Sequence, residues 1–165
     1  MDDTVLRVAA TIYGEAGVLG PAGMYAVAYV MACRMEQAQR TILRGEIPDD
    51  YMGGWWQDLL GDYMGGWTWY KQAVRDGTLA GEMEAAEIAG GLPLRLAWML
   101  VRVRLLPYWP WQIVSLETGL VMGPDPLLYC MSQQDVDKNN WRDGDVVVEG
   151  PPPYALHLYG EWPGR

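Results

Sequence analysis

Residues 20–40 place the strongest constraint on the fold, because they read as a helix without a polar face. Pro21 suits the first turn of such a helix. Apolar and aromatic side chains occupy nearly every face, namely Met24, Tyr25, Val27, Ala28, Tyr29, Val30, Met31, Ala32, Met35 and Ala38. A helix that is apolar nearly all round belongs in the middle of a domain. We therefore expect other elements to surround this one.

A shorter helix is predicted ahead of it, over residues 4–15. Asp3 or Thr4 suits its N-cap, and apolar side chains recur at helical spacing as far as Ile12. Three more helices are expected after the central one, over 68–76, 81–89 and 93–106. The chain up to residue 106 therefore has the pattern of a helical body.

The C-terminal part changes from helical to strand-like spacing. Residues 127–129 read as a short strand. Residues 145–149 and 154–159 flank a Gly-Pro-Pro-Pro sequence, and the second run alternates in the manner of a β-hairpin strand. A helical body followed by strands predicts an α+β fold dominated by helix, with a small C-terminal β-hairpin lobe.

Length and composition fit one domain. Half of the 165 residues are hydrophobic and 20% are charged, so the chain is long enough to bury a core and too apolar to be disordered. We expect a single domain over 1–165, with the helical body over about 4–106 and the β lobe over about 125–160.

The net charge disfavours several classes of partner. Twelve Lys and Arg against twenty-one Asp and Glu give a charge of −9. Nucleic acids are held by neutralising their phosphates, and anionic membrane surfaces attract basic segments. The apolar run over 18–33 is interrupted by Gly and Pro and is too short to span a bilayer. We expect neither nucleic-acid binding nor membrane insertion.

The metal-ligating residue types are scarce. The only cysteines are Cys33 and Cys130, which allow one disulfide at most, and His157 is the single histidine. We therefore expect no metal and no cofactor. Because His157 alternates with the core-facing Leu156 and Leu158, it is interpreted as a structural hydrogen-bonding residue on the opposite face of its strand.

The aromatic composition is uneven, with ten Tyr, nine Trp and no Phe. Trp and Tyr combine an apolar face with a polar tip, which suits a half-wet groove and the stacking of sugar rings. Trp67, Trp69 and Trp141 are candidates for that stacking, and the alternative for each is packing in the core. Residues 50–55 recur as residues 62–67, Asp-Tyr-Met-Gly-Gly-Trp, which we interpret as two similar turns on a loop-rich face.

Glu15 is the strongest candidate for chemistry. It lies seven residues after Val8 and three after Ile12, so it falls on the apolar stripe of the first helix, close to its end. Burial on that stripe favours the protonated carboxyl. A glutamate with a raised pKa is the usual general acid for breaking a glycosidic bond. The alternative is a structural ion pair, for example with Arg34.

The sequence around Glu15 resembles that of a known family. Residues 12–16 read Ile-Tyr-Gly-Glu-Ala, residues 23–30 read Gly-Met-Tyr-Ala-Val-Ala-Tyr-Val, and Arg34 follows. This resembles the opening of the spore-cortex-lytic, cell-wall hydrolase family, although Cys33 stands where that family has Asn. The resemblance implies a lysozyme-like helical fold that cleaves the glycan strands of peptidoglycan, commonly as a lytic transglycosylase. It would make Glu15 the single catalytic acid/base.

Later parts of the chain are less similar to that family. Residues 126–132 look like a diverged form of its Gly-Ala-Leu-Tyr stretch, which would give Tyr129 and Ser132 roles in binding substrate. Tyr129 has the alternative of being an ordinary strand aromatic. Residues 155–159 are similar to the closing strand of the family. Its Gln-Phe segment has no clear counterpart, and residues 66–69, which include Trp67 and Trp69, are placed there.

Three functions are compatible with these features. The first is cleavage between N-acetylmuramic acid and N-acetylglucosamine by Glu15 alone, which yields a 1,6-anhydro sugar. The second is hydrolysis with a second carboxylate, for which Glu117 and Asp125 are the candidates; their alternative is as solvated loop acids. The third is a glycan-binding module without turnover, which an acid on the core stripe of a helix disfavours.

The N-terminus begins Met-Asp-Asp, acidic where a secretory signal is basic. We therefore expect a protein that stays in the cytoplasm until it is released and then acts at the bacterial cell wall, as a phage endolysin would. We also expect it to be a monomer. The rival expectation is a truncated piece of a secreted enzyme.

Overall fold

The computed structural model describes residues 2–43, 67–103, 113–114, 119, 121–123 and 125–164. The helices are α1 (Asp3–Ala16), α2 (Gly20–Leu43), α3 (Thr68–Asp76), α4 (Leu79–Ala89), α5 (Gly91–Trp98) and α6 (Gln133–Asn139). The strands are β1 (Ile113–Val114), β2 (Val121–Met122), β3 (Tyr129–Ser132), β4 (Val146–Glu149) and β5 (Ala155–Tyr159). The described residues are dominated by helix with a small antiparallel sheet, so the predicted α+β class is confirmed.

The central position of α2 is confirmed. Its middle turns, including Val27, Tyr29 and Val30, are fully buried. Helices α1 and α5 pack against it from the body, and β3, β4 and β5 contact it from the sheet. One hydrophobic core therefore joins the helices to the sheet through α2.

The N-cap of α1 is Asp2, so the expected cap at Asp3 or Thr4 is wrong by one or two residues. Asp2 is extended, and its Oδ1 accepts a hydrogen bond of 2.8 Å from the Thr4 backbone N–H. Its other oxygen lies 2.7 Å from the Arg102 guanidinium. This tertiary contact with the end of the helical body is invisible in the local pattern that predicted the cap.

A short 3₁₀ turn, Gly17–Leu19, separates α1 from α2. The break is at Gly20, whose φ of +68° is a left-handed conformation that favours glycine. By length and composition alone, Asp3–Gln37 qualifies as a membrane-crossing stretch. A buried core helix passes the same test, and 56% of the apolar window is buried inside the protein.

The later helices match the prediction with small shifts. Helix α3 has the predicted bounds, and α4 begins two residues early. Helix α5 begins at Gly91 rather than at Pro93 and continues into a wider π-helical turn over Met99–Val103. The rest of the predicted 93–106 helix and all of the loop-rich face before Trp67, including most of the repeat, lie outside the described residues.

The predicted hairpin is confirmed. Strand β5 pairs antiparallel with β4, with Val147 opposite His157. It also pairs antiparallel with β3, so the strand order is β3-β5-β4. Strand β3 begins at the last residue of the predicted 127–129 strand. Helix α6 was not predicted, because seven mostly polar residues carry no apolar stripe.

His157 is a structural hydrogen-bonding residue, as predicted. Its Nδ1 accepts a hydrogen bond from the Gly144 N–H at 3.0 Å, so its Nε2 donates to Gln133 Oε1 at 2.7 Å. Leu156 and Leu158 enter the core on one face of β5. His157 is also buried, since α6 covers the other face.

The possible disulfide is absent: Cys33 and Cys130 are both free thiols. They belong to different elements, α2 and β3. Burial raises the pKa of the Cys33 thiol to about 11. It also raises the pKa of Cys130, and the negative charge of Glu15 adds to that effect. Both thiols are therefore protonated at neutral pH and are poor nucleophiles.

Candidate active site

Glu15 lies one residue before the end of α1 and is half-buried. On the same helix, Val8 and Ile12 are fully buried in the core. Desolvation by this burial is the largest influence on the Glu15 carboxyl and raises its pKa above the ordinary value of 4.5. The position of Glu15 on the apolar stripe thus raises its pKa, as a general acid requires.

The Glu15 carboxyl is held by the start of α3. Its Oε1 accepts a hydrogen bond of 2.8 Å from the backbone N–H of Trp69, the second residue of that helix. Trp67, at the N-cap position, makes no side-chain capping bond. Glu15 therefore satisfies a free N–H of the first turn. This bond lowers the pKa of Glu15, but less than burial raises it.

Gly14 explains how α3 comes so close to Glu15. A Cβ atom built on Gly14 would overlap the indole ring of Trp69. The absence of a side chain at position 14 therefore lets Trp69 lie directly against α1, one residue from the carboxyl. In the Tyr-Gly-Glu motif, the glycine serves this contact between helices.

Arg34 supplies the positive charge that acts on Glu15. It extends from α2, and its Nε donates a hydrogen bond to the Leu128 carbonyl just before β3. Its guanidinium carbon lies 4.9 Å from the ring centre of Trp67 and 5.9 Å from that of Tyr129. Cation–π contacts of this kind hold the charge in place. The positive charge lowers the pKa of Glu15, again by less than burial raises it.

A second carboxylate, Asp135, is close enough for its charge to raise the pKa of Glu15. It lies in the first turn of α6. The Ser132 hydroxyl accepts a hydrogen bond from the Asp135 backbone N–H at 3.2 Å and donates one to its carboxylate at 3.1 Å. The periodicity of the sequence does not point to Asp135. The one local signal is the Ser-x-x-Asp pattern of a helix start.

The other candidates take different positions. Tyr129 contacts Arg34 and is half-buried, whereas Trp67 is only 4% exposed and lies beneath the guanidinium. Trp69 is half-buried against Gly14, and Ser132 is exposed with its hydroxyl engaged in capping α6. The structure therefore places Trp67 and Tyr129 on the Arg34 guanidinium, joins the Trp69 backbone to Glu15, and gives Ser132 a helix-capping contact.

Of the two carboxylates proposed as partners of Glu15, Asp125 is not among the charges that act on it. Asp125 is exposed, and its backbone carbonyl accepts a hydrogen bond of 2.7 Å from Tyr29 Oη. Among the described acidic groups, it is Asp135 whose charge acts on Glu15. Glu117 lies outside the described residues.

The raised pKa of Glu15 predicts a pH-dependent gain of stability in Glu15→Gln. The folded protein binds the Glu15 proton more tightly than the unfolded chain does. Wild-type stability is therefore lost as the pH rises from the ordinary value of 4.5 through the raised pKa. The neutral glutamine does not incur this loss. Thermal unfolding from pH 4 to pH 8 should show the variant's Tm rising relative to wild type, and a gap that stays constant or narrows would contradict the assignment.

Within the parts of the chain that the structure describes, no group of three His, Cys, Asp or Glu side chains could hold a metal ion. Comparisons with protein-family models, with curated proteins and with solved structures found no significant match to the chain. The resemblance to cell-wall hydrolases therefore rests on the motif residues themselves, above all on residues 12–16 and 23–34.

Proposed function

We propose that the protein cleaves the β-1,4 bond between N-acetylmuramic acid and N-acetylglucosamine in peptidoglycan, as a lytic transglycosylase with Glu15 as its acid/base. The observation that carries the proposal is the Glu15 carboxyl, half-buried at a helix end with a raised pKa, beside the Arg34–Tyr129 contact. A lysozyme-like fold is part of the same proposal. Its support is the helix-dominant body and the effect on this acid of charges from two other helices, Arg34 on α2 and Asp135 on α6.

The hydrogen bond from Trp69 determines which carboxyl oxygen would carry the proton. Glu15 Oε1 already accepts the backbone N–H, so in the neutral carboxyl Oε1 is the carbonyl-like oxygen. The proton then belongs on Oε2. Glu15 would therefore present a single donor in a fixed direction, as an acid catalyst needs.

One carboxyl is enough for both proton transfers of the reaction. Glu15 Oε2 donates its proton to the glycosidic oxygen as the bond from that oxygen to the muramic acid C1 breaks. The C6 hydroxyl of the same sugar then forms a bond to C1 and loses its proton to the Glu15 carboxylate. The product is a 1,6-anhydro sugar, the acid is regenerated, and no water is consumed.

The positive charge of Arg34 suits the second half of this cycle. When Glu15 has given up its proton, the carboxylate is stabilised by Arg34 and by the Trp69 N–H, both of which favour the charged form. Burial favours the neutral form before the proton is donated. These opposing influences suit a group that must both donate and accept a proton in one cycle.

Mass spectrometry of muropeptides released from purified peptidoglycan tests the proposal. We expect products that end in 1,6-anhydro-N-acetylmuramic acid. Products with ordinary reducing ends would mean hydrolysis, and a failure to release any muropeptide would contradict peptidoglycan cleavage.

Asp135 makes hydrolysis with two carboxylates the second candidate, because its charge acts on Glu15. The variant Asp135→Asn separates the two. With Glu15 alone as catalyst, the variant should keep its activity at acidic pH. The alkaline limb of its pH–rate profile should move to lower pH, since removing the negative charge lowers the pKa of Glu15.

If Asp135 is instead the nucleophile or base, Asp135→Asn should lose activity about 100-fold or more at every pH. Asp137→Asn is the matched control, because it removes an exposed carboxylate from the same helix. It should leave both the rate and the profile unchanged.

A further inference from the structure

Next to the Glu15 site is a cleft of about 650 Å³ that no step of the proposed reaction uses. Its aromatic walls are Tyr129 at the start of β3, Trp141 after α6 and Trp162 in the C-terminal tail, and its polar lining includes Asn140, Arg142 and Glu161. We refer to it as the aromatic cleft. Its volume lies in the range of small-ligand sites.

The three aromatic rings form one connected wall. The ring centre of Trp162 lies 5.3 Å from that of Tyr129 and 5.5 Å from that of Trp141, with interplanar angles of 71° and 69°. Edge-to-face contacts of this kind fix the orientation of rings. Even so, 42% of Trp162 stays exposed to solvent. A large apolar ring held in place and left open toward a cleft is suited to bind a ligand.

Arg142, on the polar side of the cleft, is also held in place. Asp145 accepts hydrogen bonds from the Arg142 guanidinium at 2.9 Å and from the Gly160 N–H at 2.8 Å, which ties the tail to the segment before β4. The Arg142 carbonyl accepts a further bond of 2.7 Å from Tyr159 Oη. The aromatic rings and Arg142 therefore need little reorganisation on binding, which favours affinity.

Aromatic faces beside polar groups match the chemistry of a carbohydrate. One side of a pyranose ring presents C–H groups that pack on an aromatic face, while its hydroxyl and acetamido groups need hydrogen-bond partners. The side-chain amide of Asn140, the guanidinium of Arg142 and the carboxylate of Glu161 include both donors and acceptors.

Tyr129 links this cleft to the Glu15 site. It lines the cleft, and its ring also contacts the Arg34 guanidinium, whose charge acts on Glu15. We infer that the aromatic cleft is a carbohydrate subsite in which Trp162 packs against a sugar of an N-acetylated glycan strand, away from the bond that is cut. This inference rests on the proposed function for the identity of the strand.

Calorimetric titration with the β-1,4-linked tetramer of N-acetylglucosamine tests the subsite. Glu15→Gln protein is used as the parent so that the ligand is not cleaved. Adding Trp162→Ala should raise the Kd about fivefold or more, whereas Trp162→Tyr, which keeps an aromatic face, should recover most of the affinity. Trp98→Ala is the matched control, since Trp98 is 52% exposed and lies on α5. It should leave the Kd unchanged.

Equal affinity of the parent and its Trp162→Ala derivative would overturn the subsite, provided that thermal unfolding shows both to be folded. Absence of binding by the parent would overturn it as well. Peptidoglycan cleavage by the wild type reports separately on the proposed function. If the wild type cleaves peptidoglycan but Trp162→Ala leaves the Kd unchanged, only the subsite is contradicted. If Trp162→Ala raises the Kd but the wild type does not cleave peptidoglycan, the cleft is a carbohydrate site and the proposed enzymatic function is contradicted.

Discussion

Glu15→Gln should lower the rate of peptidoglycan cleavage by about 10²–10⁴-fold, the range for loss of a general acid/base. The substitution replaces an ionisable group with a neutral one of nearly the same shape. The glutamine Oε1 can still accept the N–H of Trp69, so the contact between α1 and α3 is retained. We therefore expect the variant to fold and to bind glycan while losing turnover.

Glu84→Gln is the matched control for this prediction. Glu84 is exposed on α4 and lies beside the N-terminal half of α1, close to Leu6 and Arg7. Its replacement should leave the cleavage rate within about twofold of wild type, as is usual for exposed positions away from a site. Equal rates in the Glu15 and Glu84 variants would contradict a catalytic role for Glu15.

Gly14→Ala should cost both activity and stability, although alanine favours a helix. The new methyl group would overlap the Trp69 ring, so α3 must move relative to α1. Overpacking of this kind costs about 1–3 kcal/mol. The movement would also disturb the Trp69 N–H bond to Glu15, and a misplacement of about 1 Å at a catalytic group can reduce the rate about 100-fold. Steady-state kinetics and thermal unfolding measure the two effects.

Gly81→Ala provides the control for the change from glycine to alanine in a helix. Gly81 lies in α4, and a Cβ built there has no atom within 4 Å apart from its chain neighbours and the backbone of its own helix. It should therefore gain up to about 1 kcal/mol of stability from the higher helix propensity of alanine, with unchanged activity. A Gly14→Ala protein that behaves like Gly81→Ala would show that the close contact with Trp69 does not matter.

The parts of the fold that follow from local periodicity could be predicted. The apolar faces of residues 20–40 predicted the buried α2, and the alternation of residues 154–159 predicted β5. The spacing of Glu15 from Val8 and Ile12 similarly placed it on a buried stripe, which is the cause of its raised pKa. In each case the residues that carry the pattern lie within a single helix or strand.

The contacts that complete the site could not be predicted, because they join distant parts of the chain. The Glu15–Trp69 hydrogen bond spans 54 residues, and the bond from Arg34 to the Leu128 carbonyl spans 94. Asp135 lies on a short polar helix without an apolar stripe, so no periodicity pointed to it. Trp162 belongs to a tail with no regular structure, and its role follows from its contacts with Tyr129 and Trp141.

The central claim is that Glu15 acts as a protonated acid, and titration of Glu15 by NMR tests it most directly. Spectra of protein with labelled glutamate carboxyls, assigned with Glu15→Gln, give the pKa of this group. The alkaline limb of kcat/KM for peptidoglycan cleavage gives the pKa of the acid in the free enzyme. We expect the two pKa values to agree and to lie above 4.5. A Glu15 that titrates at its ordinary value, or an alkaline limb that survives in Glu15→Gln, would contradict it.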